Sequence, residues 1–263
     1  MRIVVLGSGT SSGVPLIGCS CSVCTSDHPR NKRLRSSVEV RLGGKALLID
    51  TSPDLREQAI RFGLERVDAV LYTHAHADHI HGIDELRVYN LRHLREIPCY
   101  GNADVISRIE NYFEYIFDEE EREGVRPFLE TREVVGTFNL FGNSIVPVPL
   151  WHGSLPVLGY RIGNFAYLTD VNRIPDSSWE LLENLDLMIL DALRHKPHAT
   201  HFSIAQALEV VEKTGPKRAV LTHLSHLVDY TQTENELPKG VNLAYDGMQL
   251  EVEDPPQEER SEP

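Results

Sequence analysis

Thr73-His74-Ala75-His76-Ala77-Asp78-His79 decides the fold, because it places four side chains that can bind metal within six residues. The preceding run 67–72 is largely apolar, and we interpret it as a buried strand that ends where this cluster begins. In extended backbone His74 and His76 point the same way, since they are two residues apart. Neutral imidazoles bind zinc, manganese and iron well, and the carboxylate of Asp78 adds charge for a second ion.

The pattern of a metal-binding residue at the end of a strand recurs farther along the chain. Hairpins are predicted over 138–150 and 157–169, and strands are predicted to deliver His152, Asp170 and His223. Each histidine alone is more often structural, and a histidine-rich surface loop is the alternative interpretation of 73–79. Candidates at four separate strand ends instead predict a single site that several strands build together.

The motif Thr-His-x-His-x-Asp-His, together with the strand before it, resembles the signature of the metallo-β-lactamase superfamily. This resemblance implies an α/β fold, the αββα sandwich, with two metal ions at one edge of the sheets. The seven implied ligands form two sets that share a bridging Asp170: His74, His76 and His152 for one metal, and Asp78, His79 and His223 for the other. Asp50, at the end of another predicted strand, would support the histidine loop through hydrogen bonds rather than bind metal.

A pair of cations about 3.5–4 Å apart lowers the pKa of a water between them, so that hydroxide exists near neutral pH. We therefore expect attack on phosphorus, with Asp78 serving as a catalytic residue as well as a ligand. The ligand types suit zinc, manganese or iron, and the sequence alone does not choose among them.

Three cysteines lie close together in Cys19-Ser20-Cys21-Ser22-Val23-Cys24, and His226 offers a fourth ligand much later. Tetrahedral structural zinc takes four such ligands, whereas the alternative is a set of free thiols. The motif, which follows a small-residue loop over 7–13, resembles that of the PhnP-like phosphodiesterases within the superfamily. That resemblance implies one structural zinc, favours manganese at the catalytic pair, and makes these residues the zinc ligands: Cys19, Cys21, Cys24 and His226. Cys99 lies outside the motif and is expected to be buried.

The segment 191–201 follows a predicted strand and immediately precedes a predicted helix. An exposed polar loop is one interpretation of it. It also resembles the Arg-x-x-Pro-His-x-x-His loop of PhnP-like enzymes, which implies that His201 contacts the substrate phosphate. We expect His201 to be the general acid for the leaving alkoxide, because an imidazole suits proton donation near neutral pH. His198 and Arg194 are weaker candidates for substrate binding.

Length and composition favour one domain over residues 1–253, with a cysteine-rich loop at about 18–28 and a disordered acidic tail at 254–263. No apolar run approaches the length of a membrane span, and the amino terminus lacks the features of a signal peptide, so we expect a cytoplasmic protein without membrane contact. The net charge of -13 disfavours nucleic acid as a partner.

The preferred function is hydrolysis of a small, cyclic phosphate ester, and the resemblance implies 5-phosphoribosyl 1,2-cyclic phosphate and a place in phosphonate metabolism. One alternative is a tRNA 3′-processing endonuclease, which would need a basic extension that the sequence lacks. Another is a non-catalytic accessory protein that holds metal, although none of the seven ligands is missing. Aromatic side chains at helical spacing within 103–117 are expected to be core or homodimer contacts.

Local patterns predict the elements around the site. Two strands over 37–42 and 45–50 form a hairpin, helices cover 82–95 and 103–117, and Ser52 caps a helix that extends to about residue 62. Ser203 and Gln206 form a capping-box pattern for a helix that Gly215 ends.

Overall fold

The computed structural model describes residues 1–118 and 126–253, so the tail expected at 254–263 lies outside the described residues. The strands run in chain order as β1 (Arg2–Gly7), β2 (Ser37–Leu42), β3 (Lys45–Ile49), β4 (Ala69–Leu71), β5 (Ile97–Gly101), β6 (Leu129–Glu133), β7 (Phe138–Leu140), β8 (Asn143–His152), β9 (Leu155–Ile162), β10 (Phe165–Leu168), β11 (Leu187–Asp191), β12 (Arg218–Thr222), β13 (Val241–Leu243) and β14 (Gln249–Glu251).

The helices alternate with these strands, and three short 3₁₀ turns cover Pro29–Asn31, Ile83–Leu86 and Glu180–Leu182. The α-helices are α1 (Ser22–Thr25), α2 (Leu55–Phe62), α3 (Ala77–Ile80), α4 (Arg87–His93), α5 (Ala103–Tyr112), α6 (Glu114–Phe117), α7 (Asp176–Trp179), α8 (Ile204–Thr214) and α9 (Tyr230–Glu236). Within the described ranges, no helix is both long enough and apolar enough to cross a membrane.

The strands form two mixed sheets of seven strands each, with the orders β14-β1-β2-β3-β4-β5-β6 and β13-β12-β11-β10-β9-β8-β7. In each sheet an antiparallel part leads into a parallel part, namely β3 to β6 in the first sheet and β10 to β13 in the second. Parallel neighbours bring their carboxyl ends to the same edge of a sheet. Residues that directly follow β3, β4, β10 and β12 therefore gather at one edge of the molecule.

The core between the sheets forms because alternate strand residues point inward from both of them. Val38, Ile49 and Leu71 of the first sheet pack in one buried cluster with Phe165 and Ile189 of the second. Helices α2, α4 and α5 cover the outer face of the first sheet, and α7, α8 and α9 cover that of the second. The four layers confirm the αββα sandwich of the metallo-β-lactamase fold.

Two local predictions are confirmed in detail. The two-residue turn Gly43-Gly44 joins β2 to β3, and both glycines adopt positive φ. The Ser203 side chain accepts from the Gln206 amide, Gln206 reaches back to the Ser203 amide, and Gly215 ends α8 with φ 60°. The residues that flank the loop 191–201 are thus fixed by local hydrogen bonds.

Three helix predictions differ from the structure. Helix α2 begins at Leu55 rather than at Pro53, because the Ser52 carbonyl accepts a hydrogen bond from the Leu55 amide. The Asp54 carboxylate does not cap the helix, since it accepts a hydrogen bond from the Arg35 amide. The region 82–95 is a 3₁₀ turn followed by the shorter α4, and 103–117 is broken between α5 and α6 at Phe113. In each case tertiary contacts override a helical pattern that is correct in outline.

Among residues 1–118 and 126–253, three polar residues that follow strands have left-handed backbone although they are not glycine. Asp50 follows β3 with φ 63°, Asp170 follows β10 with φ 54°, and His223 follows β12 with φ 60°. This conformation turns the chain sharply, so that each side chain points along the sheet edge instead of continuing the strand alternation. Strained backbone of this kind is concentrated at functional sites.

Candidate metal centre

The histidine loop leaves β4 and enters the short helix α3. Asp78 and His79 both lie on α3, and both are buried, whereas His76 just before the helix is exposed. His74 Nε2 and His76 Nδ1 are 3.0 Å apart. The loop thus presents ring nitrogens of His74 and His76 to one volume.

Asp50 holds this loop in place through several hydrogen bonds. Its carboxylate accepts from the Thr73 amide at 2.8 Å and from the Thr73 hydroxyl at 2.8 Å. It also accepts from Nδ1 of His79 at 2.7 Å, which leaves Nε2 of His79 facing the site. A carboxylate behind a histidine fixes its tautomer and orientation, as is common behind metal ligands.

One group of potential ligands consists of Asp78, His79, Asp170 and His223, whose ligand atoms all lie within 4.8 Å of one another. His79 Nε2 lies 3.1 Å from Asp170 Oδ2 and 3.2 Å from Asp78 Oδ2. His223 Nδ1 lies 3.2 Å from the same Asp170 oxygen. These four residues are the ones that the sequence analysis assigns to the second metal.

The residues expected at the other metal are divided between two groups. His74 and His76 gather with Asp170, whereas His152 gathers with Asp170 and His201. His152 donates from Nδ1 to the Thr200 carbonyl at 2.7 Å, so its Nε2 is available to a ligand. Asp170 belongs to every His/Asp group, which places its carboxylate at the centre of the site.

The protonation of three ligand histidines suits cation binding, whereas burial, which would lower the pKa of His79, is outweighed by neighbouring carboxylates that raise it well above its usual range, so a cation there would displace a proton. Burial lowers the pKa of His74, of His152 and of His223, the last to about 4, so all three are neutral at pH 7 and keep a free lone pair. Burial alone would raise the pKa of Asp78 and Asp170, but the neighbouring histidines outweigh it and hold both carboxyls well below their usual pKa. Neutral imidazoles and ionised carboxylates in one buried volume fit divalent cations.

His201 forms a pair with a carboxylate that the sequence analysis passed over. Its Nδ1 lies 2.7 Å from Oδ2 of Asp191, the last residue of β11, and the Val171 amide donates to the same oxygen at 2.8 Å. Burial lowers the pKa of His201, but the Asp191 carboxylate more than offsets this and leaves the pKa raised. Its Nε2 is directed to the metal centre, 4.0 Å from Asp170 Oδ1.

The two weaker substrate-binding candidates differ in their placement. The His198 ring lies 5.3 Å from the His201 ring, between centroids, and Nδ1 of His198 accepts from the Thr200 amide. The Arg194 guanidinium donates to the carbonyls of Lys196 and Pro197. Arg194 therefore braces its own loop, and His198 is the candidate that lies near the site.

Two hydroxyls that the sequence analysis missed lie beside the ring nitrogens of His223. Nε2 of His223 is 3.1 Å from the Thr10 hydroxyl, and Nδ1 is 3.2 Å from the Ser36 hydroxyl. The small-residue loop can approach this closely because Gly7 has no side chain. A Cβ at this position would lie only 2.0 Å from the Arg35 carbonyl oxygen. Single hydroxyl residues in loops form no recognisable sequence pattern. The glycines of the loop 7–13 were therefore the sequence feature that indicated a close approach here.

The cysteine motif forms a second group of potential ligands: Cys19, Cys21, Cys24 and His226. Nδ1 of His226 lies 3.4 Å from the Cys19 sulfur and 3.5 Å from the Cys21 sulfur. The Cys24 amide and His226 lower the pKa of the Cys21 thiol to about 6, which favours the thiolate that zinc requires. Cys99 is buried in β5, away from the group, as expected.

Cys21→Ser should lose one zinc ion per chain and lower the melting temperature, because structural zinc contributes folding free energy directly. A domain of this size loses about 2–4 °C in Tm for each kcal/mol of stability. Elemental analysis and a thermal melt measure both effects, and Cys99→Ala is the matched control that removes a thiol outside the group. An unchanged zinc content in Cys21→Ser would show that the cysteines hold no metal.

Comparison with known proteins agrees with this geometry. A model of the beta-lactamase superfamily domain matches residues 45–224. An octanoyltransferase of Porphyromonas gingivalis (strain ATCC BAA-308 / W83) is 38% identical over 259 residues, which is 97% of this chain and 52% of that protein. A coenzyme PQQ synthesis protein B of Methylobacterium radiotolerans is 38% identical over 123 residues, 41% of this chain and 40% of that protein. This chain thus spans about half, or less, of the length of these curated relatives.

Two crystal structures resemble the chain over nearly its whole length. The first is a new diphosphatase from the PhnP family, whose sequence is 44% identical to this chain. Its TM-score is 0.90, and the match covers 96% of this chain and 98% of the diphosphatase chain. The second is zinc-bound PqqB from Methylobacterium extorquens, whose sequence is 20% identical to this chain. Its TM-score is 0.78, and the match covers 96% of this chain and 100% of the PqqB chain. The second likeness concerns the fold alone.

Proposed function

We propose that this chain, which belongs to the beta-lactamase superfamily, is a metal-dependent hydrolase that cleaves a small phosphodiester. The observation that carries the proposal is the central carboxylate of Asp170, which belongs to every group of His/Asp ligands at the sheet edge. Such a shared carboxylate suits a pair of cations. The proposed ligands are the seven of the sequence analysis: His74, His76, Asp78, His79, His152, Asp170 and His223.

Divalent cations bound there, manganese or zinc, would supply Lewis-acid activation of a water molecule and would offset negative charge on the phosphate. The chain itself supplies the orientation of the ligands. Asp50 holds Nδ1 of His79, and the Thr200 carbonyl holds Nδ1 of His152, so that Nε2 of each ring faces the centre. Because these two hydrogen bonds fix the rings of His79 and His152, the ligands are oriented before substrate binds.

His201 is the proposed general acid. The Asp191 carboxylate fixes its Nδ1 and raises its pKa, so Nε2–H is present near neutral pH and faces the site. A protonated imidazole in that position can contact a phosphate oxygen and then give its proton to the leaving alkoxide. The proton therefore comes from a residue of the chain, while Asp191 stabilises the charged ring.

The substrate that we propose is a cyclic ribosyl phosphate such as 5-phosphoribosyl 1,2-cyclic phosphate. It is supported by the matching motifs of the PhnP-like enzymes and by the 44% identity to a PhnP-family diphosphatase. Because that relative is a diphosphatase, a diphosphate bond is the second candidate, and both reactions need attack on phosphorus beside an anionic centre. A role in phosphonate metabolism is part of the same proposal.

Three other functions have less support. The match covers 52% of the octanoyltransferase relative. The activity in that protein's name therefore also concerns a large part of it that the match does not reach. A tRNA-processing nuclease is disfavoured by the net charge of -13, which repels a polyanion. A non-catalytic accessory protein is disfavoured because every ligand of the centre is present.

Removal of metal should abolish hydrolysis of bis(p-nitrophenyl) phosphate, and addition of manganese or zinc should restore it. The test is dialysis against a chelator, followed by titration of each metal while p-nitrophenolate release is measured. A diphosphate substrate assayed in parallel distinguishes diester from diphosphate cleavage. Full activity in protein shown by elemental analysis to be free of metal would refute the proposal.

A further inference from the structure

A cleft of about 210 Å³ opens beside the metal centre, and the mechanism above does not use it. His74 and His76 line it, and Val105 of α5 with Leu155 of β9 add apolar side chains to the lining. A molecule that reaches the centre with its phosphate can place its remaining part in this cleft. The space is smaller than the ~300–1,000 Å³ of pockets for drug-sized ligands, so it suits a single small ring.

The cleft is also lined by a paired acid and base on neighbouring turns of α5. Asp104 and Arg108 are four residues apart, and the Arg108 Nε donates to the Asp104 carboxylate at 2.8 Å. Both side chains are about half exposed, at 55% and 47%. An exposed pair of this kind is held weakly, so both groups can exchange their bond for one to a ligand.

The charges of this pair indicate what it can recognise. The charge of Asp104 cancels that of Arg108, so the pair has no net charge with which to attract a second anionic group. Hydroxyl groups suit both members, because a carboxylate accepts from O–H and a guanidinium donates to the oxygen. A lining of apolar side chains beside a few polar groups is also suited to the C–H face of a sugar ring.

We propose that Asp104 and Arg108 determine specificity by binding a free hydroxyl on a pentose-sized ring esterified to the phosphate. This inference rests on the proposed function, and it adds the residues that recognise the part of the substrate that is not phosphate. A phosphate ester without ring hydroxyls would leave the hydrogen bond between Asp104 and Arg108 intact and would gain no binding energy from either residue.

The test compares two p-nitrophenyl diesters, one of methyl riboside 5-phosphate and one of tetrahydrofurfuryl phosphate, which lacks the ring hydroxyls. Wild type should show a kcat/KM about tenfold higher for the ribosyl diester, the size expected for a hydrogen bond to a charged group. Asp104→Asn and Arg108→Ala should each lose that advantage, mainly through KM, and keep wild-type activity on the other diester. Glu57→Gln and Arg61→Ala are matched controls, since they form the same type of exposed pair on α2 outside the cleft.

Equal rates of wild type on both diesters, or equal losses on both in the variants, would overturn the inference. If wild type with metal cleaves neither diester, the proposed function fails, and binding then decides the role of the cleft. Calorimetry with ribose 5-phosphate and tetrahydrofurfuryl phosphate should show about tenfold tighter binding of the ribose compound, lost in Arg108→Ala. Equal affinities of wild type for the two compounds would refute the role of the pair.

Discussion

Asp170→Ala should abolish hydrolysis of bis(p-nitrophenyl) phosphate while the fold survives. Its carboxylate is the only group common to all the His/Asp ligand sets found among residues 1–118 and 126–253, so its removal leaves two cations without a shared anion. The loss should exceed the ~10²–10³-fold cost of removing one hydrogen bond to a developing oxyanion, because a whole charge is lost. Turnover and metal content are measured together.

Asp170→Asn is the second variant, because asparagine tolerates the left-handed backbone at this position and removes only the charge. Circular dichroism establishes that both variants are folded, and Asp176→Ala, at the exposed start of α7, is the control for loss of an acidic side chain. Turnover like that of wild type in either variant would contradict the assignment of Asp170 as the bridging ligand.

His201→Ala should reduce the rate by about 10²–10⁴-fold for a substrate with a poor leaving group such as a ribose hydroxyl. The loss should be much smaller for p-nitrophenolate, which leaves without a proton. Equal losses on both substrates would make His201 a phosphate-positioning residue. Since His201 also gathers with His152 and Asp170, a loss of metal in the variant would make it a ligand instead.

The pH dependence gives a second readout of the same residue. His201 acts in its protonated form, so the rate on the poor leaving group should fall as pH rises through the raised pKa of His201. Asp191→Asn removes the carboxylate that raises this pKa, so the alkaline fall should move to lower pH. His201→Ala should remove this fall altogether, and an unchanged profile would exclude His201 as the acid.

The sequence was most informative where residue type and strand end coincide. The pattern of a buried strand that stops at a charged or imidazole side chain predicted the ligand candidates, and the resemblance of the histidine motif to the superfamily signature implied the sandwich. It could not predict the pairing of His201 with Asp191, because the two are ten residues apart and their contact depends on where β11 ends. Nor could it predict that the His201 ring lies 4.5 Å from the His152 ring, nearer than the His76 ring at 5.2 Å, since these distances depend on how the loops cross the edge.

The left-handed backbone at Asp50, Asp170 and His223 has a consequence for how this protein would evolve in the laboratory. Such backbone costs ordinary residues roughly 1–2 kcal/mol each, against a total stability of ~5–15 kcal/mol, and glycine avoids the cost. Selection for thermal stability without a screen for activity would therefore favour glycine at His223 and abolish the proposed activity. Selection that retains activity would leave these positions untouched and find its gains elsewhere in the chain.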